Sequence, residues 1–229
     1  MARGPKRGGG GDGGRMMATR VRTARGRSNA STRWLQRQLN DPYVKKAEAE
    51  GYRSRAAYKL IELDDRFGVL KPKSRVVDLG AAPGGWTQVA AARSPDGRVV
   101  GADIQAMNPI AGAELLELDI FAEDAIRRLQ AALGSEQADV VLSDMAPSTT
   151  GHKRTDQLRI AALAEAAYDV ARQLLAPDGV FMVKVFQGGA PKELLDSLKQ
   201  DFAAVRHAKP RASRSESAEM YLVATGFRG

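Results

Sequence analysis

The stretch Val76-Val77-Asp78-Leu79-Gly80-Ala81-Ala82-Pro83-Gly84-Gly85-Trp86 decides how the rest of the chain is read. Val76 and Val77 make a short apolar strand. A glycine-rich turn follows, leading into helix-forming sequence at 84–92. In an open parallel sheet, ligands bind at the carboxyl edge of the strands, and such a turn lets them approach the backbone. Two common patterns are absent. Ala82 takes the second glycine place of G-x-G-x-x-G, and no Gly-Lys-Ser/Thr follows as a Walker loop requires. Dinucleotide and nucleoside-triphosphate binding are therefore disfavoured.

Outward from this stretch, strand and helix alternate. Strands are expected at 98–102, 115–118, 138–142, 180–186, 205–208 and 220–225, with helices at 122–133, 158–170 and 191–202. Short apolar strands alternating with helices predict an α/β fold, its mostly parallel sheet covered on both faces. The last two strands have no helix between them and predict an antiparallel hairpin at one edge. Upstream, Asp41-Pro42 reads as an N-cap with proline at the first helical position. Ser54 is expected to cap a second helix ending near Gly68. The chain thus divides into a tail at 1–30 and a single domain at 31–229, made of N-terminal helices (31–70) and a core (75–229).

Composition narrows the chemistry. The 229 residues include no Cys and only two His, His152 and His207. Disulfides, thiolate metal sites and cysteine nucleophiles are excluded, and no metal is expected. No run of about 18 apolar residues exists, so a membrane span is not expected. Residues 1–40 hold ten Lys/Arg against Asp12 alone, a net charge of +9, while the remaining 189 residues sum to −1. A basic tail on a near-neutral body points to a polyanionic partner. The tail is too rich in Gly, Arg and Ser to bury a core and reads as disordered. It is Arg-rich and acid-poor like a transit peptide, but six glycines between Gly8 and Gly14 disfavour the amphipathic helix such a peptide needs. A cytoplasmic protein is expected.

Acids mark the strand ends. Asp78, Asp103, Asp119 and Asp144 each fall at the end of a successive strand. Any one of them is ordinarily a helix cap; four together suggest one acidic sheet edge. Asp103 stands where a carboxylate can hold ribose hydroxyls. A phosphate pocket would carry Lys and Arg instead. The edge suits a cation that bears a ribose, and S-adenosylmethionine fits that description. Trp86, directly after the turn, is expected to flank the cofactor.

Five stretches, taken together, resemble the FtsJ (RrmJ) family of ribose 2′-O-methyltransferases. They are Arg33-Trp34-Leu35-Gln36, Arg53-Ser54-Arg55-Ala56, Asp78 to Trp86, Ser143-Asp144-Met145-Ala146-Pro147 and Val183-Lys184-Val185-Phe186-Gln187-Gly188. The resemblance spans 31–225. It implies a Rossmann-like, S-adenosylmethionine-dependent methyltransferase fold with a seven-stranded, mostly parallel sheet.

Methylating a ribose hydroxyl needs in-line positioning and a place for the proton to go. The available candidates are lysines and carboxylates. Lys184 interrupts the apolar run Val180-Phe181-Met182-Val183-Lys184-Val185-Phe186, which is costly unless it is paired or functional. Asp144 is its expected partner. To accept a proton, desolvation and Lys59 must outweigh the acids; a snorkelling strand-end lysine is the plain alternative. The resemblance implies a tetrad of Lys59, Asp144, Lys184 and Glu219, with Lys184 as proton acceptor. Glu216 is the alternative to Glu219, which directly precedes the last strand. The family's cofactor contacts fall on Gly84, Trp86, Asp103, Asp119 and Asp144.

RNA contacts are expected from Arg33, Arg37, Lys45, Lys46, Arg53 and Arg55, and from Lys209, Arg211 and Arg214. The resemblance further implies that a monomer methylates large-subunit ribosomal RNA, a uridine of the 23S A loop within the 50S subunit. A 2′-O-methyltransferase for tRNA or organellar rRNA, and a non-catalytic ribosome-assembly factor, are the alternatives.

Overall fold

The computed structural model describes residues 29–147, 150–187 and 191–229. The tail up to residue 28 and Gly188 lie outside the described residues, as do the side chains of Arg33, Trp34 and Arg37. Chain contacts gather into two units, 1–45 and 46–229. The first contains α1 (Asn29–Asn40) and the start of α2 (Pro42–Glu50). There the expected cap is found: Asp41 Oδ1 accepts the Tyr43 amide at 3.0 Å.

The second unit carries the sheet. Its helices are α3 (Ala57–Phe67), α4 (Gly85–Arg93), α5 (Ala125–Leu133), α6 (Lys153–Leu174) and α7 (Lys192–Asp201). Its strands are β1 (Arg75–Leu79), β2 (Arg98–Asp103), β3 (Ala113–Glu117), β4 (Ala138–Ser143), β5 (Leu175–Phe186), β6 (Phe202–Ala208) and β7 (Glu219–Phe227). Their order is β3-β2-β1-β4-β5-β7-β6. The first five are parallel; β7 runs antiparallel between β5 and β6. This is the seven-stranded Rossmann-like arrangement expected, with its hairpin at one edge.

Period-2 alternation sends neighbouring residues to opposite faces of the sheet. Val76, Val140, Leu142, Met182 and Tyr221 pack with α3 and α4. Val77, Val141, Phe181, Val183 and Leu222 pack with α5, α6 and α7. Lys184 has the parity of Met182 and is paired in register with Tyr221, so the sheet itself directs it toward the α3 side. Helix α3 answers with Leu60 and Leu63 in the core beside Lys59.

Two local expectations differ. Helix α3 starts at Ala57 behind Ala56, and Ser54 does not cap it. The Ser54 hydroxyl is buried without a hydrogen-bond partner, against Gly85 of α4, where an added Cβ would stand 2.4 Å from it. Close approach of the two segments has taken precedence over capping. Strand β5 begins at Leu175 rather than residue 180. Its ladder with β4 jumps from Ala138↔Leu175 to Val140↔Val180, accommodating Pro177, Asp178 and Gly179. Asp178 there takes a left-handed φ of 64°. No helix among the described residues is long and apolar enough to cross a membrane.

Candidate active site

Four charged side chains meet past the carboxyl end of β4. Asp144 follows that strand directly. Lys184 Nζ lies 3.0 Å from Asp144 Oδ1 and also donates to the Asp144 carbonyl. Lys59 Nζ, reaching across from α3, is 2.9 Å from Glu219 Oε2 and 3.9 Å from Asp144 Oδ2. Lys184 is 7% exposed. It is therefore a buried, paired lysine and not one snorkelling to solvent. Of the two candidate glutamates, Glu219 joins the cluster.

The sequence did not single out Tyr221. Its hydroxyl donates to Asp144 Oδ1 at 2.7 Å, and its ring lies 5.5 Å from that of Trp86. The available signal was parity: two residues after Glu219 on the same strand, Tyr221 must face the same side. Burial pushes the Tyr221 hydroxyl well above its usual range, and the charges of Asp144 and Glu219 push it further. Burial also works to raise the Asp144 carboxyl, but Lys184, Lys59 and the Tyr221 hydrogen bond outweigh it. Asp144 is held below the usual carboxylate range. Glu62 is a second residue that was missed: its carboxylate accepts the backbone amides of Arg211 and Ala212, fixing the loop that leads to Glu219.

A cleft of about 560 Å³ opens beside this cluster and includes Gly80, Asp103, Asp119 and Asp144 in its wall. Asp103 is held at both oxygens, by the Ala82 amide (3.0 Å) and the Gln105 amide (2.8 Å). Asp119 accepts the Phe121 amide at 3.0 Å. Ile104 and Phe121, at 69% and 67% exposed, present apolar surface there. Among the described residues the wall contains three acids and no Lys or Arg. A polyphosphate would find no counter-charge; a cation with a flat apolar group would be well matched.

Not every expected residue reaches the cleft. Asp78 does not line it. It lies fully buried in β1 beneath the edge, so three of the four strand-end acids face the ligand space. Thr87 Oγ1 donates to Asp78 Oδ2 at 2.7 Å, while Asp78 Oδ1 has no partner. Burial, followed by the charges of Asp144 and Asp103, raises this carboxyl from 3.8 to about 7, against the Thr87 bond. The Trp86 indole is also absent from the cleft wall: it is buried, donating from Nε1 to the Ala56 carbonyl at 2.9 Å. Gly84 serves the turn. Its φ of +112° precedes α4, and a Cβ there would stand 2.5 Å from Ile110 Cδ1.

Of the candidate RNA contacts, Lys45, Lys46 and Arg211 are exposed. Lys209 is exposed too, while donating to the Ser217 carbonyl at 2.7 Å. Arg53 and Arg55 instead turn their guanidinium groups onto backbone carbonyls of their own chain.

Comparison with known proteins agrees with this geometry. The family model for FtsJ-like methyltransferases matches residues 52–227. The "Ribosomal RNA large subunit methyltransferase E" of Maricaulis maris (strain MCS10) is 60% identical over 224 residues, covering 98% of this chain and 80% of the relative. The protein of the same name from Parvibaculum lavamentivorans is 56% identical, covering 99% and 93%. In three dimensions, a Plasmodium falciparum protein assigned as a ribosomal RNA methyltransferase superposes with a TM-score of 0.70 at 32% identity, over 78% of this chain and all of that one. The chain belongs to the FtsJ-like methyltransferase family.

Proposed function

We propose that this protein transfers a methyl group from S-adenosylmethionine to a ribose 2′-hydroxyl of large-subunit ribosomal RNA. The proposed substrate is a 23S A-loop uridine presented by the 50S subunit. The observation that carries the reading is the intact cluster of Lys59, Asp144, Lys184 and Glu219 at the mouth of an acidic cleft. A non-catalytic RNA-binding factor would have no need of it.

The cleft's donor set suits the cofactor. Asp103, anchored by two amides, would take ribose hydroxyls; Asp119 and Asp144 supply counter-charge for its cationic groups; Ile104 and Phe121 offer apolar surface for its base. Bound there, S-adenosylmethionine would supply an electrophilic methyl group for the ribose oxygen, its C–S bond being exchanged for the new C–O bond. Lys184 Nζ, in its neutral form, would receive the proton that leaves the 2′-hydroxyl. Asp144 fixes that amine in place through both its carboxylate and its carbonyl. Lys59 and Glu219, paired with each other, orient the ribose. Arg211, Lys209, Lys46 and the basic N-terminal segment would hold phosphates, which positions RNA without reading its sequence.

The test is methyl transfer from labelled S-adenosylmethionine to free ribosomal RNA, isolated large subunits and tRNA, side by side. Transfer to large subunits is expected. Lys184→Ala is expected to bind cofactor as wild type does and to lose transfer by about 10²–10⁴-fold, the usual worth of a positioned acid or base. Turnover near wild type in that variant would overturn the role of Lys184, and preferred labelling of tRNA would overturn the substrate.

A further inference from the structure

Arg53 reads from the sequence as a phosphate contact, but its surroundings assign it other work. Nη1 donates to the Asn108 carbonyl at 2.7 Å and to the Pro83 carbonyl at 3.3 Å; Nη2 donates to the Pro109 carbonyl at 2.6 Å. Its backbone amide donates to Gln88 Oε1 at 2.8 Å, and Gln88 Nε2 returns a bond to the Gly51 carbonyl at 3.0 Å. Residues 51–53 are thereby joined to α4, and the side chain spans from there to the connection between β2 and β3.

That connection, 104–112, has neither helix nor strand to satisfy its carbonyls. It is held at its start by Asp103, through the Gln105 amide, and near its far end by Arg53. Gln105 lies in the wall of the proposed cofactor cleft and also in that of a neighbouring hollow bounded by Arg53, Pro83 and Asn108. Ile104, one of the exposed apolar residues of the cleft, belongs to the same loop. Gly84 is fitted to this arrangement, since a Cβ there would stand 3.1 Å from Arg53 Cδ.

We infer that Arg53 is a positioning residue for the cofactor: its guanidinium fork holds loop 104–112 against the Pro83–Gly84 turn, so that Ile104, Gln105 and Asp103 are set before the cofactor arrives. The inference rests on the cofactor reading given above. The two roles for Arg53 separate chemically. A phosphate is held by a lysine as well as by an arginine, whereas two neighbouring carbonyls need a planar fork that lysine does not have. If the loop is in place in only a fraction of molecules, cofactor affinity falls by that fraction.

The experiment compares wild type, Arg53→Lys and Arg53→Ala in calorimetric titration with S-adenosylmethionine, amide hydrogen exchange over 104–112, and RNA binding against salt. Both variants are expected to bind cofactor about tenfold or more weakly, as when the ordered fraction of the loop drops to about a tenth. Exchange over 104–112 should quicken while the salt slope of RNA binding stays that of wild type. The deficit in turnover should shrink as cofactor is raised, while exchange in the core outside 104–112 stays that of wild type; a general loss of folding would quicken exchange throughout. The inference is overturned if Arg53→Lys binds cofactor like wild type, or if Arg53→Ala lowers the salt slope by about 0.7–0.9, the signature of one lost phosphate contact. Should Arg53→Ala fail to fold, Arg53→Lys decides alone. If the wild-type chain binds no S-adenosylmethionine, the cofactor reading fails, and unchanged exchange over 104–112 in the variants would then separately overturn the strut.

Discussion

Replacing Asp78 with asparagine tests the electrostatics beneath the cleft. Asparagine keeps the size of the side chain and an acceptor for the Thr87 hydroxyl but cannot ionise. In the folded protein the Asp78 carboxyl is raised from 3.8 to about 7, so the folded state binds its proton more tightly than the unfolded chain does. A raised carboxyl makes stability fall as pH rises from the unfolded value through the folded one. The full penalty, about 3 pH units at 1.36 kcal/mol each, is about 4 kcal/mol and is reached above roughly pH 7. Between pH 5 and pH 8 the wild type should lose roughly 2–3 kcal/mol from this group, with no such loss in Asp78→Asn. At about 2–4 °C per kcal/mol for a chain of this size, the difference in Tm between variant and wild type should grow by roughly 5–10 °C across that range. Thermal unfolding of both proteins without cofactor, at several pH values, measures it. A difference that stays constant with pH would refute the reasoning, because other titrating groups are common to both proteins.

Two further substitutions probe the site's geometry. Tyr221→Phe removes the donor to Asp144 Oδ1 and should cost about 1.5–3 kcal/mol, the range for a hydrogen bond to a charged group, read by denaturant unfolding. Gly80→Ala should lower both stability and cofactor affinity: Gly80 has a φ of +73°, and a Cβ would stand 2.3 Å from Met145 Cγ in the cleft wall. The left-handed backbone alone costs about 1–2 kcal/mol, and calorimetric titration with S-adenosylmethionine reads the displacement of the wall.

The sheet, its edge hairpin and the strand-end placement of Asp103, Asp119 and Asp144 were legible because they follow from one-dimensional patterns: period-2 apolar runs, turn residues and their spacing. What escaped depends on three dimensions. Asp78 and Asp103 look alike along the chain, yet one is walled in by Thr87 and the sheet while the other meets two turn amides in an open cleft. Arg53 and Arg55 read as surface charge because carbonyls that need donors leave no trace in the sequence. Tyr221 was overlooked although its alternation with Glu219 was in plain view, since only pairing with β5 brings Lys184 alongside.

Asp144 belongs at once to the cleft wall and to the lysine pair. On the proposed reaction, with Lys184 neutral at the start, a positive charge would disappear on the cleft side as the methyl leaves, and another would be created on Lys184 when it takes the proton. Asp144 faces the same total charge before and after. The acidic edge then has nothing to rearrange during turnover: it escorts one unit of charge a short way across a single carboxylate, and a rigid protein can do that without giving way.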